Sequence, residues 1–342
     1  MALQASGQIK YSEIIAEFGT PNNGGLGEFR LSENVGSLTN LPLDTGVPQG
    51  NSQIKFSDFY SKRLNHVVDL YSTPVNNSSR QNAKDRWNNG NVHIVGSTKT
   101  GKTQPPDTVE DRVIINVNAT ISSVKGTQTH CALRTGNWDT NTTLEIEIGT
   151  SGKLYGSGGD GGSGGSANET AGTDGQTGSS ALGIQYPCSI NNLGVIQSGY
   201  GGGGGGGGNT RTTGGGKKSG ATTNGSSGGG GGGGAGSPAG AAGGVQTPLS
   251  QGGGTAGSAG QVGSLSGPAT GGGGGSEAGD GGNSSPVNNS ATKADNGTSP
   301  SGAAAFGTGG DNGYAIITNQ GSAPSVTGNS ATGRIITSTN PT

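Results

Sequence analysis

The segment best suited to chemistry is Gly96-Ser-Thr-Lys-Thr-Gly101-Lys102-Thr103, which fits the phosphate-cradling pattern G-x-x-x-x-G-K-[ST] at every fixed position. It follows a short apolar run, Asn91–Val95, as a phosphate loop would. That chemistry also needs a helix to begin directly after the Lys-Thr pair, so that its free N–H groups face the phosphates. Gln104-Pro105-Pro106-Asp107 follows instead. Gln104 and Pro105 each precede a proline, which pushes them out of helical geometry, and the next apolar run alternates as a strand. A polar loop is the better account. His66, His93 and His130 stand alone, with no carboxylate or Cys at ligand spacing, and are expected to be structural. Cys131 and Cys188 have neither metal spacing nor the numbers for a disulfide framework, and are expected as free thiols. No paired carboxylates, G-x-S-x-G elbow or Cys/His dyad can be assembled. The expectation is a protein that is not an enzyme and holds no cofactor and no metal.

Aromatic side chains are scarce enough for their placement to matter. Trp87 and Trp138 lie in polar stretches, while Tyr155, Tyr186 and Tyr200 border glycine-rich chain. Rings on rigid loops add contact area at low entropic cost. Tyr155, Tyr186, Tyr200 and Trp138 are therefore the candidates for a recognition surface; the other reading is that they cap the ends of a scaffold.

The element that must position them is unusual. Of 76 glycines in 342 residues, 14 lie in residues 1–150 and 62 in residues 151–342, against a usual glycine share of about 7%. Between Gly201 and Gly313 the aliphatic side chains are Val245, Leu249, Val262, Leu265 and Val287, with Phe306. Those cannot offset the entropy of ordering so glycine-rich a chain by side-chain burial, which excludes a conventional enzyme domain there. The glycines follow a period of three: Gly158-Gly-Asp-Gly-Gly-Ser-Gly-Gly-Ser166, then Gly254, Gly257, Gly260 and Gly263, with runs at Gly201–Gly208 and Gly228–Gly234. Three residues per turn is the repeat of the left-handed extended helix. Such helices have no internal hydrogen bonds, so their peptide groups must bond to neighbours. A bundle of left-handed, polyglycine II-type helices is expected over residues 151–313; a disordered linker is the competing reading.

Residues 64–150 carry candidate strands at His66–Tyr71, Asn91–Val95, Arg112–Ile121, His130–Leu133 and Thr143–Ile148, separated by Asn, Gly, Pro and Ser clusters. Short strands with no helix between them predict a small antiparallel β domain. Gly152–Gly159 repeats at Gly194–Gly201, 42 residues on, and Ile190-Asn-Asn-Leu-Gly194 is echoed by Ile317-Thr-Asn-Gln-Gly321. Both suggest strands that anchor the glycine segments. Residues 314–342 return to β composition and are expected to close that layer.

The first sixty residues hold a duplicated motif, Ser6-Gly-Gln-Ile-Lys-Tyr-Ser-Glu-Ile14 and Asn51-Ser-Gln-Ile-Lys-Phe-Ser-Asp-Phe59. In each copy an extended piece runs into a Ser able to cap a short helix, and Gly19 would stop the first. Residues 1–63 look too small to bury their own apolar face. Ile9, Tyr11, Ile14, Ile54, Phe56, Phe59 and Tyr60 are therefore expected to dock onto another protein. Helical turns are expected only in this segment, and the rest of the chain mostly as β structure. Net charge is −2, and the cations form no basic run, so nucleic acid is not an expected partner. No apolar run of about 18 residues offers a membrane span, and Met1–Lys10 lacks the apolar stretch of a secretory signal.

The duplicated motif, with Glu17-Phe-Gly19, Leu31-Ser-Glu33 and Tyr60, resembles a segment recurrent in tailed-bacteriophage virion proteins, Gly-x-Ile-x-Met/Leu-Ser-Asp-Ile ending in Ser-Asp-Phe-Tyr-Gly-Lys. Here aromatics stand in place of the aliphatic residue before Ser, and Ser61 in place of the last Gly. The glycine-rich part is similar in composition to the receptor-binding adhesins at the tips of T-even-type long tail fibres. The resemblance implies a virion protein made in the host cytoplasm and attached to tail, fibre or baseplate proteins through its N-terminus. It further implies loops presented to a host-surface receptor, and either a trimer or a single copy on a trimeric fibre. Two alternatives remain at this point: a purely structural virion part (fibre shaft, baseplate or head decoration), and an ice-binding glycine-helix protein.

Overall fold

The computed structural model describes residues 3–70, 81–96, 112–165, 171–205, 209–213, 222–226, 233–237, 239–241, 308–321, 323–337, 339 and 341. The phosphate-loop match beyond Gly96 and the triplets at Gly254–Gly263 lie outside the described residues, as do Tyr71 and parts of both glycine runs.

The chain is mostly β. From Asn65 onward it coils, and successive turns add strands to three parallel sheets. The first sheet takes Asn65–Leu70, Arg112–Val117, Thr143–Ile148, Cys188–Asn192 and Val326–Gly328, with His93–Ile94 antiparallel at its edge. The second takes Thr120–Ser122, Lys153–Tyr155 and Val195–Gln197, and Thr332 bridges onto Gln197. The third takes Gln81–Asn82, Cys131–Arg134, Ser180–Ile184, Tyr314–Thr318 and Arg334–Ile336. This is a β-solenoid, whose turns bury a continuous core that no single turn could bury. Its interior is filled by Val68, Val113, Ile115, Ile121, Leu133, Ile146, Leu154, Leu182, Ile196 and Ile316, among others.

The expected antiparallel pairing is therefore wrong. Thr143-Leu-Glu-Ile-Glu-Ile148 does alternate, with Leu144, Ile146 and Ile148 inside. Alternation reports one buried face, however, and carries no information about strand direction. Short connections suggested hairpins, but here they turn corners between sheets. Parallel neighbours are joined by a whole turn of the coil, which satisfies the long crossover that parallel pairing requires. Pairing also crosses residue 150, since Lys153–Tyr155 pairs with Thr120–Ser122. The 42-residue repeat is the register itself: Lys153 lies opposite Val195, and Tyr155 opposite Gln197. The Ile190/Ile317 echo has no such meaning, because those residues stand on different sheets.

Residues 3–64 fold as a lobe over the start of the coil. A helix spans Tyr11–Phe18 and ends at Gly19, whose φ of 83° needs a residue without Cβ. Single turns of 3-10 helix span Leu26–Phe29 and Phe56–Phe59. Ser12 and Ser57 are not the caps. Glu13 accepts from the Lys10 backbone N–H and Asp58 from that of Lys55, each at 2.7 Å, the reach-back half of a capping box. Contrary to expectation the lobe buries its own apolar face. Phe18, Phe29 and Phe59 meet edge to face at 5.5–6.0 Å, with Ile9, Ile14, Leu43, Val47 and Leu64 around them. Three rings concentrate enough apolar area to form a core in a short segment. A second correction is the helix Ala83–Asn88, which lies outside this lobe and is capped by the Asn82 side chain on the Lys84 and Asp85 N–H groups.

On the outer face of the first sheet Asp69, Asn116, Glu147, Asn191 and Thr327 stand in one row, register by register. Asn116 donates to Asp69 and Asn191 to Glu147, each at 2.8 Å. Burial is the main reason that the Glu147 carboxyl titrates above its usual range; the Asn191 bond opposes it and Glu145 adds to it. A carboxyl with a raised folded pKa costs stability once ionised, so the cost is absent at low pH and appears as pH rises through the folded pKa. Glu147→Gln, which keeps the oxygen that accepts from Asn191, is expected to raise the melting temperature at pH 7. Melting curves of the two proteins should converge near pH 3, below the ordinary Glu range of about 4.3.

Candidate functional site

At the corner between the second and third sheets the coil lets chain out. Residues 123–130 close this corner in one turn, residues 156–179 in the next, and residues 198–313 in the third. In the last turn Gly333 alone separates Thr332 from Arg334. The two long excursions lie side by side and are joined backbone to backbone. Gly156, Gly159 and Gly162 donate to the carbonyls of Gln197, Tyr200 and Gly203, each at 2.8 Å. Ser179, Gln176 and Thr173 donate to Ser157, Asp160 and Ser163, and Gly199, Gly202 and Gly205 to Ser179, Gln176 and Thr173, all at 2.7–2.9 Å. Gly175 and Gly178 donate to Thr308 and Asp311 at 2.9 Å. Along each segment the bonds recur at every third residue.

Only glycine permits this approach. A Cβ on Gly202 would lie 2.1 Å from the Asp160 carbonyl oxygen, one on Gly205 2.0 Å from that of Ser163, and one on Gly234 1.9 Å from that of Tyr200. The partners are backbone on both sides, so no flexible side chain can move aside. The bonding also fixes directions. Segments 156–165, 199–205 and 239–241 lead away from the coil, and 171–179, 233–237 and 308–313 return. Asn209–Thr213 and Thr222–Ser226 form an antiparallel pair; residues 166–170, 206–208, 214–221, 227–232 and 242–307 lie outside the described residues.

Side chains pin the array where it leaves the coil. Ser157 and Ser179 are buried with their hydroxyls 2.9 Å apart, and the Ser157 N–H donates to Ser179 Oγ at 2.8 Å. Asp160 receives the Lys125 ammonium and the Ala241 N–H, each at 2.6 Å. Burial pushes the Asp160 carboxyl up, but the Lys125 and Ala241 contacts outweigh it and leave the group below the usual carboxylate value. Its contribution is thus present above the unfolded value and lost as pH falls through the folded one. Asp160→Asn is expected to speed hydrogen exchange at the Ala241 amide at pH 7, and wild type should approach the variant's rate once corrected for pH below about 3.

The aromatic candidates stand in the scaffold. Tyr200 is fully buried within the array, and Trp138 is buried with its Nε1–H on the Thr135 carbonyl at 2.8 Å. Trp138 also meets Trp87 edge to face at 5.4 Å and lies under the Lys84 ammonium at 4.7 Å. Tyr186 is half-buried against the solenoid core, its hydroxyl 2.6 Å from the Asp139 carbonyl and 2.9 Å from that of Thr142. Tyr155 is half-buried at the end of its strand, its carbonyl accepting from the Ser123 N–H. As recognition residues Tyr200 and Trp138 are corrected: in a chain poor in apolar side chains, large rings are drawn in to close the junctions. The sequence signal that does find the array is the triplet pattern of glycines, which marks the bonded segments.

Of the attachment candidates, Ile14 and Phe59 are fully buried and Ile9 is buried, while Tyr11, Ile54 and Tyr60 are half-buried against the lobe core. Phe56 alone of the set is exposed, at 42%. Gly96 donates its N–H to Glu33 at 2.8 Å, and Glu33 also meets His93 Nε2 at 2.9 Å. His66 is buried beside Trp87. Both cysteines are free, and burial pushes the Cys188 thiol up to about 12. Among the described residues no group of His, Cys, Asp and Glu converges as a metal site, and no helix is long and apolar enough to cross a membrane.

No curated protein matches the chain. A solved structure that matches is the gp37–gp38 adhesin tip complex of the long tail fibre of bacteriophage S16, at 20% identity and a TM-score of 0.37, over 85% of this chain and 90% of that one. The family profile of the phage tail fibre adhesin Gp38 matches residues 87–339, a span that contains both glycine excursions and nearly all of the coil they leave. A chain matched over that span, as its glycine composition led one to expect, belongs to the phage tail fibre adhesin Gp38 family.

Proposed function

We propose that this protein is carried on the phage tail by its N-terminal lobe and binds a host-surface receptor, protein or glycan, through the connections at the far end of the glycine array. In this reading the bonded glycine segments within residues 156–179 and 198–313 form a bundle of left-handed polyglycine helices; of the expected 151–313 module, Lys153–Tyr155, Ser180–Ile184, Cys188–Asn192 and Val195–Gln197 belong to the coil instead. Residues 1–63, 64–150 and 314–342 form the lobe, the start of the coil and its closing segment. The observation that carries it is the recurrence of segment-to-segment backbone bonds at every third residue, the repeat of an extended three-fold helix. A bundle bonded in this way is stiff and needs no side-chain core, so its polar connections are left to make contact. Rigid presentation lowers the entropic cost of binding. The protein acts by binding alone, with neither catalysis nor cofactor.

The test exchanges residues 242–307 for a short Gly/Ser link in phage that otherwise carry the natural chain. Adsorption to host cells should fall while the chain remains in the virion and melts as wild type. Normal adsorption would move the protein to a purely structural place in the virion. An ice-facing role would want regular Ala or Thr across several helices, and apart from the short run at 254–263 the non-glycine positions here are irregular.

A further inference from the structure

At the corner between the third and first sheets, successive turns of the coil differ in length. Residues 135–142 turn it in one level, residues 185–187 in the next and residues 319–325 in the one after. The first of these levels holds the buried Trp138 ring, and Tyr186 of the second closes onto it with its hydroxyl on the Asp139 and Thr142 carbonyls. Between the second level and the third, a long turn overhangs a short one, and a cleft of about 280 Å³ lies between them. Ile184, Pro187 and Cys188 line it from the short turn, and Ala323, Pro324 and Ser325 from the long one. Thr318 and Gln320 complete the wall. Among the described residues no aromatic ring and no charged side chain lines this cleft. The overhang is fixed at several points. Gln320 donates from its side-chain nitrogen to the Gln185 carbonyl at 2.7 Å and to Asn319 Oδ1 at 3.0 Å, and from its backbone to Thr318 Oγ1 at 3.1 Å. The Gly321 N–H donates to the Thr337 carbonyl at 3.2 Å, and the Ser325 carbonyl accepts from the Ile190 N–H at 3.3 Å. Both amide hydrogens of Gln320 are thus spent, which leaves its oxygen as an acceptor, while the Thr318 and Ser325 hydroxyls can donate as well as accept.

We propose that this cleft binds one neutral pyranose sugar ring. Its volume stands at the bottom of the range of small-molecule sites, about 300–1,000 Å³, which suits a single ring and not a chain. The lining selects the chemistry. An ion would lose its hydration with no opposite charge to meet, and a flat aromatic ligand would find no ring to stack on. A wholly apolar ligand would cover the Thr318 and Gln320 groups without bonding them, which costs free energy. A pyranose has a C–H face for Ile184, Pro187 and Pro324, and hydroxyls for Thr318, Gln320 and Ser325. The two prolines hold that apolar wall in one shape, since their rings fix the backbone. The cleft stands on the coil, at a different corner from the one that the glycine array leaves, so its ligand is independent of what the array binds.

The test records saturation-transfer NMR of the purified full-length chain with D-glucose, D-galactose, D-mannose and N-acetyl-D-glucosamine, and with D-glucosamine and D-galacturonate as charged counterparts. At least one neutral sugar should receive saturation, and the charged ones should not. Ala323→Trp, at an exposed residue of the cleft, places an indole where the sugar would sit. It should melt as wild type and bind that sugar at least about tenfold more weakly, a loss of 1.4 kcal/mol or more. Leu193→Lys, exposed at another corner, should bind normally. Ser325→Cys gives a second reading that does not depend on filling the cleft. Its modification by N-ethylmaleimide should slow when the sugar is present, while Cys131, fully buried, and Cys188, its thiol pushed up to about 12, stay inert. Absence of saturation in all four neutral sugars overturns the proposal. So does unchanged binding by Ala323→Trp, a Ser325→Cys rate that the sugar leaves unaltered, or charged sugars that bind as well as neutral ones. A neutral oligosaccharide ending in the same ring separates the two sources of such a ligand: equal binding marks the end of a glycan, and loss of binding a free sugar.

Discussion

Gly202→Val is expected to destabilise the glycine array by about 3 kcal/mol or more, at the upper end of what overpacking costs. The reason is geometric. A Cβ at this position would stand 2.1 Å from the Asp160 carbonyl oxygen and 2.4 Å from its carbon. In a side-chain core an extra methyl group can be accommodated by a rotamer change. Here both walls are peptide groups, and the Gly202 N–H is itself bonded to Gln176 at 2.9 Å. Moving the segment away breaks bonds at each third residue along it. Gly25→Val, where nothing lies within 4 Å of the added Cβ, serves as the comparison and should stay close to wild type. Melting curves and limited proteolysis of the two variants check this. A Gly202→Val protein that melts as wild type would mean that the array is not held by these backbone contacts.

Removing residues 200–312 and joining Gly199 to Gly313 through a short Gly/Asn turn is expected to leave the β-solenoid folded. The two ends of the excursion already touch, since Gly313 donates its N–H to the Gly199 carbonyl at 2.8 Å. An earlier turn of the same coil closes this corner with residues 123–130, so a short closure is compatible with the geometry. Shortening the loop also reduces the entropy of closing it. The losses are the contacts of residues 200–205, 233–237, 239–241 and 308–312 with the smaller excursion. The shortened chain should keep a cooperative melting transition and β-type circular dichroism, and should still be incorporated into virions while no longer supporting adsorption. Unfolded or insoluble material would show that the excursion is an integral part of the coil.

The two outcomes separate the two ways in which this chain makes a core. In the coil, side chains do the work: Leu144, Ile146 and Ile148 point inward and stack on Val113, Ile115 and Val117 of the turn before. Those positions were legible as alternating apolar residues, and the strands fall close to where alternation placed them. The direction of the strands was not legible, because a one-sided apolar strand has the same pattern whichever way its neighbours run. The 42-residue repeat held the answer, as the spacing at which Lys153 stacks on Val195. Nothing in the repeat alone distinguishes a stacked turn from a duplicated anchor. The capping of the N-terminal turns was misassigned for a similar reason. Ser12 and Glu13 both fit a helix start, and the choice fell to backbone geometry that places Lys10 at the cap.

By itself the sequence determined that this protein is mostly β, that residues 201–313 cannot build a side-chain core, and that the glycines of the second half recur in threes. These are properties of composition and period, which need no knowledge of what a residue meets. Only the tertiary structure decided which peptide groups bond, that Trp138 and Tyr200 are buried supports, and that of the duplicated motif Phe56 is left exposed where Tyr11 is covered. Each of those depends on which distant segment arrives alongside. Local propensity is blind to that arrival, and in a chain of backbone-to-backbone contacts it is nearly all that separates one glycine from the next.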